Sequence, residues 1–342
     1  MAARPDNQAY KFQATLGGRS HTQQEAAGLE YMMIEDHVDL VGVARFCLNL
    51  DHGSWSSIKI GSDVQVEVGE SGRKMFVGVV TGMRHAFKQG RETMTVMAMD
   101  PLIKASASRR TEVYEKMTDS DIAQKVISRA GLQVGKIDAT QEKNDSVIQR
   151  NESDLEFLKK LAARNDYLVM ANEGKIDFVK AQYGGSATEI QPEQLEDLDY
   201  GMSATQVPPN IETYGWDYVQ VKRMEGSAGS GDIVPIGSGQ NAVQAAAQIW
   251  QGTNYIADVM MHSQGAAKNV AAGELNRLAR NFLRGSARID GSAKVYAGAK
   301  LKFPGHPSGF NPEVYVVSSR HVFEVKRGYI TEIQFCSNTM PS

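Results

Sequence analysis

The chain holds 342 residues, 37 of them Lys or Arg and 40 Asp or Glu, for a formal charge of −3. That length exceeds what one compact core usually serves, and 42% hydrophobic with 23% charged residues excludes a wholly disordered chain. The near-balanced charge argues against a nucleic-acid binder that works by neutralising phosphates, and two cysteines are too few for a disulfide framework or a Cys-rich zinc site.

From about residue 10 to 105 the chain reads as all β. Residues 30–34, 41–50, 57–68, 75–87 and 92–100 are rich in β-branched and apolar side chains. Ile58, Ile60, Val64, Val66 and Val68 fall mostly at every second position, the period of a half-buried strand. Residues 69–73 and 88–90 carry the Gly and polar content of hairpin turns, so a small barrel or strongly bent sheet is expected. Cys47 and Cys336 each follow a Phe in such a run, which suggests buried, reduced thiols. The opening residues lack the apolar stretch of a signal peptide. No run approaches the roughly 18 apolar residues of a membrane span, so a soluble, cytoplasmically made chain without a membrane anchor is expected.

The pattern changes near residue 109. Thr118 and Asp121 suggest a helix cap, and Ile122, Val126, Ile127 and Ala130 form one apolar face that Gly131 ends. Ser153 and Glu156 make an S-x-x-E capping box for a second helix, with Leu155, Leu158, Leu161 and Ala162 as its stripe. Residues 167–179 read as a hairpin turning on Asn172, Glu173 and Gly174. This middle segment is a small α/β unit.

After a linker containing Pro and Gln, residues 210–223 alternate as a strand. Residues 225–240 are rich in Gly and Ser and read as a flexible connector or an exposed loop. A helix at 241–250, a strand at 254–261 and an Ala-rich helix at 266–284 follow, the last either core or an interchain seam. From Ser286 the chain is β again.

The two β regions share an order of motifs. Arg84-His85-Ala86-Phe87 is echoed by Arg320-His321-Val322-Phe323 at a spacing of 320 − 84 = 236, and Gly61 by Gly298 at 298 − 61 = 237. One duplicated barrel is expected, with the two Arg-His pairs at the same strand end in comparable surroundings.

Residues 118–132 and 149–169, with Asn151, Glu152, Ser153, Asp154, Phe157, Leu158, Leu161 and Ala162 at their most recognisable stretch, resemble the contractile-tail baseplate hub family. That family includes phage late control D proteins, the hubs of T4-like baseplates and the N-terminal region of VgrG spikes. Asp100, Gly215-Trp216-Asp217 and Gly328-Tyr329 fit the same resemblance. It implies a β-rich α+β fold with two tube-like split β-barrels, a small α/β domain between them and a helical insertion in the second barrel. The corresponding division is 1–108 for the first barrel, 109–182 for the α/β domain, 183–235 with 286–342 for the second barrel, and 236–285 for the insertion. It further implies a homotrimer that adapts a hexameric tail tube to a trimeric spike around a central channel, touching tail tube protein and baseplate wedge or sheath-proximal proteins. The sequence ends at Ser342 with no downstream β-helix, so a separate spike protein is expected. The expected location is a virion tail baseplate or injection particle, assembled in the bacterial cytoplasm.

No segment makes a catalytic constellation. Residues 226–231 are Gly-rich but lack the Lys-Ser/Thr of a phosphate loop, and residues 305–309 have the wrong spacing for a nucleophile elbow. The seven histidines show no zinc-ligand spacing. Glu193, Glu196, Asp197 and Asp199 could be imagined as the acids of a tail-associated peptidoglycan hydrolase. They lie in what reads as a solvated linker, whereas a general acid needs a burying pocket. The expectation is therefore a non-enzymatic protein with no catalytic residue, metal, cofactor or sequence-specific nucleic-acid binding. Arg84, His85, Arg320 and His321 are read as structural repeat pairs, and Ser153, Asp154, Phe157 and Leu158 as the family-motif helix.

Overall fold

The computed structural model describes residues 12–22, 28–52, 55–69, 73–181, 183–217, 220–259, 263–306, 309–324 and 328–340. The first β region supplies β1 (Phe12–Leu16), β2 (Arg19–Thr22), β3 (Leu29–His37), β4 (Val43–Asn49), β5 (Asp63–Val68), β6 (Lys74–Lys88) and β7 (Arg91–Met99). Alternation dictates their packing: Val64, Val66 and Val68 of β5 are buried while the residues between them face outward. Gln89 and Gly90, both at positive φ (51° and 77°), turn β6 into β7 as a two-residue hairpin with the right-handed strand twist requires.

The middle unit runs β8 (Arg109–Thr118), α1 (Asp119–Arg129), β9 (Val134–Ile137), β10 (Lys143–Ser153), α2 (Asp154–Ala163), β11 (Tyr167–Asn172) and β12 (Lys175–Lys180). Its two helices pack over small sheets β10-β8 and β11-β12-β9, closing a core around Tyr114, Ile122, Phe157, Leu158 and Phe178. Both capping boxes form, Thr118 with Asp121 and Ser153 with Glu156.

The last region supplies β13 (Thr188–Glu189), β14 (Leu195–Met202), β15 (Asn210–Asp217), β16 (Lys222–Ala228), α3 (Ala242–Ala246), β17 (Thr253–Val259), α4 (Gln264–Ala279), β18 (Leu283–Asp290), β19 (Lys300–Lys302), β20 (Val314–Glu324) and β21 (Gly328–Ser337). Residues 225–228, expected in a connector, are the end of β16. Gly226 is there because α4 crosses so closely that a Cβ would lie 2.3 Å from the Ala267 carbonyl carbon. The Ala-rich helix α4 is core on one face, with Ala267, Ala271, Leu275 and Ala279 buried.

The β regions do not stay apart. Among the described residues thirteen strands form one sheet in the order β14-β18-β21-β20-β3-β4-β7-β6-β5-β1-β2, with β19 on β20 and β13 on β19. Within it the run β5-β6-β7-β4-β3 is matched by β19-β20-β21-β18-β14, so each half has the same strand order. The largest difference between the halves is in one link. Residues 38–42 join β3 to β4, whereas the sheet β16-β15-β17 with α3 and α4 is inserted between β14 and β18. Each half keeps its own core, around Phe46, Val66 and Val96 in the first and around Phe303, Val316 and Phe335 in the second.

Candidate assembly interface

The halves meet where β20 pairs antiparallel with β3, in the register Ser318↔His37 through Arg320↔Glu35 to Glu324↔Tyr31. The Arg320 guanidinium reaches the Glu35 carboxylate across this seam at 3.0 Å and Glu332 at 3.5 Å. His321 is 1% exposed, its ring hydrogen-bonded to Ser319 Oγ (3.0 Å), Tyr329 Oη (2.8 Å) and Thr331 Oγ1 (3.2 Å). Burial pushes its pKa down to about 3. Burial also pushes the Asp36 carboxyl up, against hydrogen bonds from Ser319 Oγ and the Ala297 N–H. Phe323 stacks on Tyr329 at 4.1 Å and belongs to the core of the first half, although β20 belongs to the second.

The repeat-related residues correspond hydrogen bond by hydrogen bond. Gly61 (φ 85°) donates to Val80 O at 2.8 Å, and Val80 donates to Ser62 O at 2.9 Å. Gly298 (φ 94°) donates to Val316 O at 2.8 Å, and Val316 donates to Ala299 O at 2.9 Å. A bulge follows at the same point of each hairpin, between Val80 and Gly82 against β7 and between Val316 and Ser318 against β21. Arg84-His85 on β6 and Arg320-His321 on β20 therefore hold matching positions.

Their surroundings differ, contrary to the expectation of comparable contacts. Arg84 and His85 are exposed, and Phe87 is 73% exposed against 8% for Phe323. β3 covers the second half of β20, while among the described residues nothing pairs with the outer edge of β6 over residues 81–88, and Tyr329 stands opposite Phe323 where Glu92 stands opposite Phe87. A second open edge lies on β14, which among the described residues pairs only with β18. Glu196, Asp197 and Asp199, read as linker carboxylates, thus stand exposed on an edge strand. The residues that sequence reasoning missed are Glu35 and Asp36 on β3. Nothing local in the sequence marks them as partners of a segment nearly three hundred residues away.

The motif helix lies elsewhere, in the middle unit. Ser153 Oγ accepts the Glu156 N–H at 3.2 Å while the Glu156 carboxylate accepts the Ser153 N–H at 2.8 Å. Those bonds hold the Glu156 pKa below its usual value. Asp154 is 3% exposed and is held by Arg129 (2.6 Å), Gln149 Nε2 (2.9 Å) and Arg110 (3.5 Å). Phe157 stacks on Tyr114 at 5.5 Å, and Leu158 is fully buried. These four residues organise a core rather than a cleft.

A cavity of about 630 Å³ opens between the end of α4 and the sheet, lined in part by Tyr183, Tyr200, Arg280, Arg284 and Tyr315. Its most buried cation, Arg280, is already engaged by Asp166 (2.9 Å) and Tyr183 Oη (2.5 Å). Among the described residues no group of three His, Cys, Asp or Glu could hold a metal ion, and no helix is long and apolar enough to cross a membrane. Both cysteines are free; Cys336 is buried, and burial pushes its thiol up to about 11, while Cys47 is only half-buried.

This fold is shared with solved phage tail proteins. A 43 kDa tail protein of prophage MuSo2 from Shewanella oneidensis shares it at a TM-score of 0.71 and 13% identity, over 95% of this chain and 98% of that one. A tail protein from Neisseria meningitidis MC58 does so at 0.72 and 12%, over 96% and 97%. An Escherichia coli component of the type VI secretion system does so at 0.59 and 12%, over 92% and 74%. In sequence, residues 52–324 match the family model described as the Alg8 N-terminal domain, and the chain belongs to that family. The shown family thus differs from the hub family that the α2 region resembles; the likeness to tail proteins lies in the fold. No curated protein matches the chain.

Proposed function

We propose that the chain is a structural, non-enzymatic baseplate hub of a contractile phage tail or phage-like injection particle. Three copies form a homotrimer that adapts a hexameric tail tube to a trimeric spike around a central channel. The observation that carries this reading is the matched strand order of the two half-barrels within one sheet. Each chain then offers two quasi-equivalent units, and three chains offer six to a six-fold ring. The division of labour follows the expected domains: 1–108 and 183–235 with 286–342 as ring units, 109–182 as the α/β unit braced by Ser153, Asp154, Phe157 and Leu158, and 236–285 as insertion. Tail tube protein, a separate spike protein and wedge or sheath-proximal proteins are its partners, and no cofactor or metal is needed.

Mixing the purified chain with its tail tube protein, followed by negative-stain imaging, tests the reading. Rings capping tube ends are expected. Tubes that stay bare at saturating chain would contradict it.

A further inference from the structure

The seam between β3 and β20 is made once inside the chain, and the same two surfaces occur a second time without each other. We infer that the open edge of β6, residues 82–88, pairs antiparallel with the open edge of β14 in a second copy of this chain. This rests on the assembly proposed above and specifies how its copies join.

The register follows from the strand correspondences. Val80 lies opposite Ala98 and Val316 opposite Phe335; Ala98 lies opposite Ala44 and Phe335 opposite Gly285. Ala44 in turn lies opposite Ile34, and Gly285 opposite Tyr200. Ile34 of β3 therefore matches Tyr200 of β14, as His321 matches His85. The internal pair His321↔Ile34 becomes His85↔Tyr200 between copies. Its neighbours are Arg84 opposite Gly201, Ala86 opposite Asp199, Phe87 opposite Leu198 and Lys88 opposite Asp197.

Chemistry at those positions fits the pairing. On one face Lys88 meets Asp197 directly, and Arg84 lies diagonal to Asp199, a cationic strand against an anionic one. On the other face Phe87 meets Leu198, which packs against the core of the second half. Inside the chain Phe323 meets Met32 of the first-half core in the same way. The exposed phenyl ring at Phe87 is thus an anchor awaiting the neighbouring copy, and the N–H and C=O groups of both edges, without strand partners among the described residues, gain them.

Two variants of the full chain test this. Phe87→Asp leaves the isolated fold intact, because the ring is exposed there, and should weaken self-association by at least tenfold in the dissociation constant. The double variant His85→Cys, Tyr200→Cys should give intermolecular disulfides on mild oxidation, since directly opposed strand residues lie within bridging distance. His85→Cys, Leu198→Cys, slipped by two residues, should cross-link much less. A wild-type trimer that Phe87→Asp leaves intact, or equal cross-linking by both double variants, would overturn the strand pairing while leaving the hub reading standing. A wild-type chain that is monomeric would overturn both.

Discussion

Phe323 on β20 and Phe87 on β6 occupy matching positions in two hairpins, yet one is 8% and the other 73% exposed. The side chains are the same and so are the bulges beneath them, but Phe323 is covered by β3 and stacks on the opposing Tyr329, where Phe87 faces Glu92 and no such strand. Burying a Phe is worth about 1.5–3 kcal/mol, so the exposed copy leaves a comparable gain for a second chain to supply.

In the middle unit, the cap and the core of α2 should separate cleanly. Ser153→Ala removes one capping bond and should cost about 1 kcal/mol. Leu158→Ala empties a fully buried site and should cost about 3 kcal/mol. Urea unfolding followed by circular dichroism reads both, and equal, negligible losses would mean that α2 does not pack as described.

Gly226 should tolerate no side chain. Gly226→Ala drives a methyl into the Ala267–Lys268 backbone of α4 and should cost about 1–3 kcal/mol through overpacking. Gly231→Ala, with nothing within 4 Å, is the matched control and should leave the melting temperature unchanged.

Much of this architecture was legible in the residues. Polar turns, the Ser153 box, the α/β unit and the echo of Arg84-His85 in Arg320-His321 all carry local signals. The join between β3 and β20 carries none, because pairing between residues 31–37 and 318–324 depends on how the two halves come together rather than on neighbouring side chains. β14 was read as a linker because charges such as Glu196, Asp197 and Asp199 mark an edge strand and a solvated loop alike. Gly226 misled for a related reason: a glycine admitting a helix looks the same as one in a flexible connector.

The seam should weaken in acid through His321. Its folded pKa, about 3, lies below the usual 6.5, so the unfolded chain takes up a proton first as pH falls. The stability linked to the neutral ring is complete above about pH 6.5. It is lost toward pH 3 at up to ~1.4 kcal/mol per pH unit. Asp100 opposes this. Burial raises its pKa to about 6 despite hydrogen bonds from Gly42 and Leu102, so stability linked to its protonated form is present below pH 3.8 and lost as pH rises through 6. Comparing His321→Gln with the wild type isolates the histidine. Its destabilisation should be larger at pH 7 than at pH 4.5 in denaturant titrations, and a gap independent of pH would contradict the buried neutral ring.

The mass of the full chain in solution tests the hub most directly. Native mass spectrometry at micromolar concentration should show one dominant species of about 112 kDa, three chains of 37.4 kDa each. A species at 37.4 kDa that persists when the spike protein is added would contradict the ring of three.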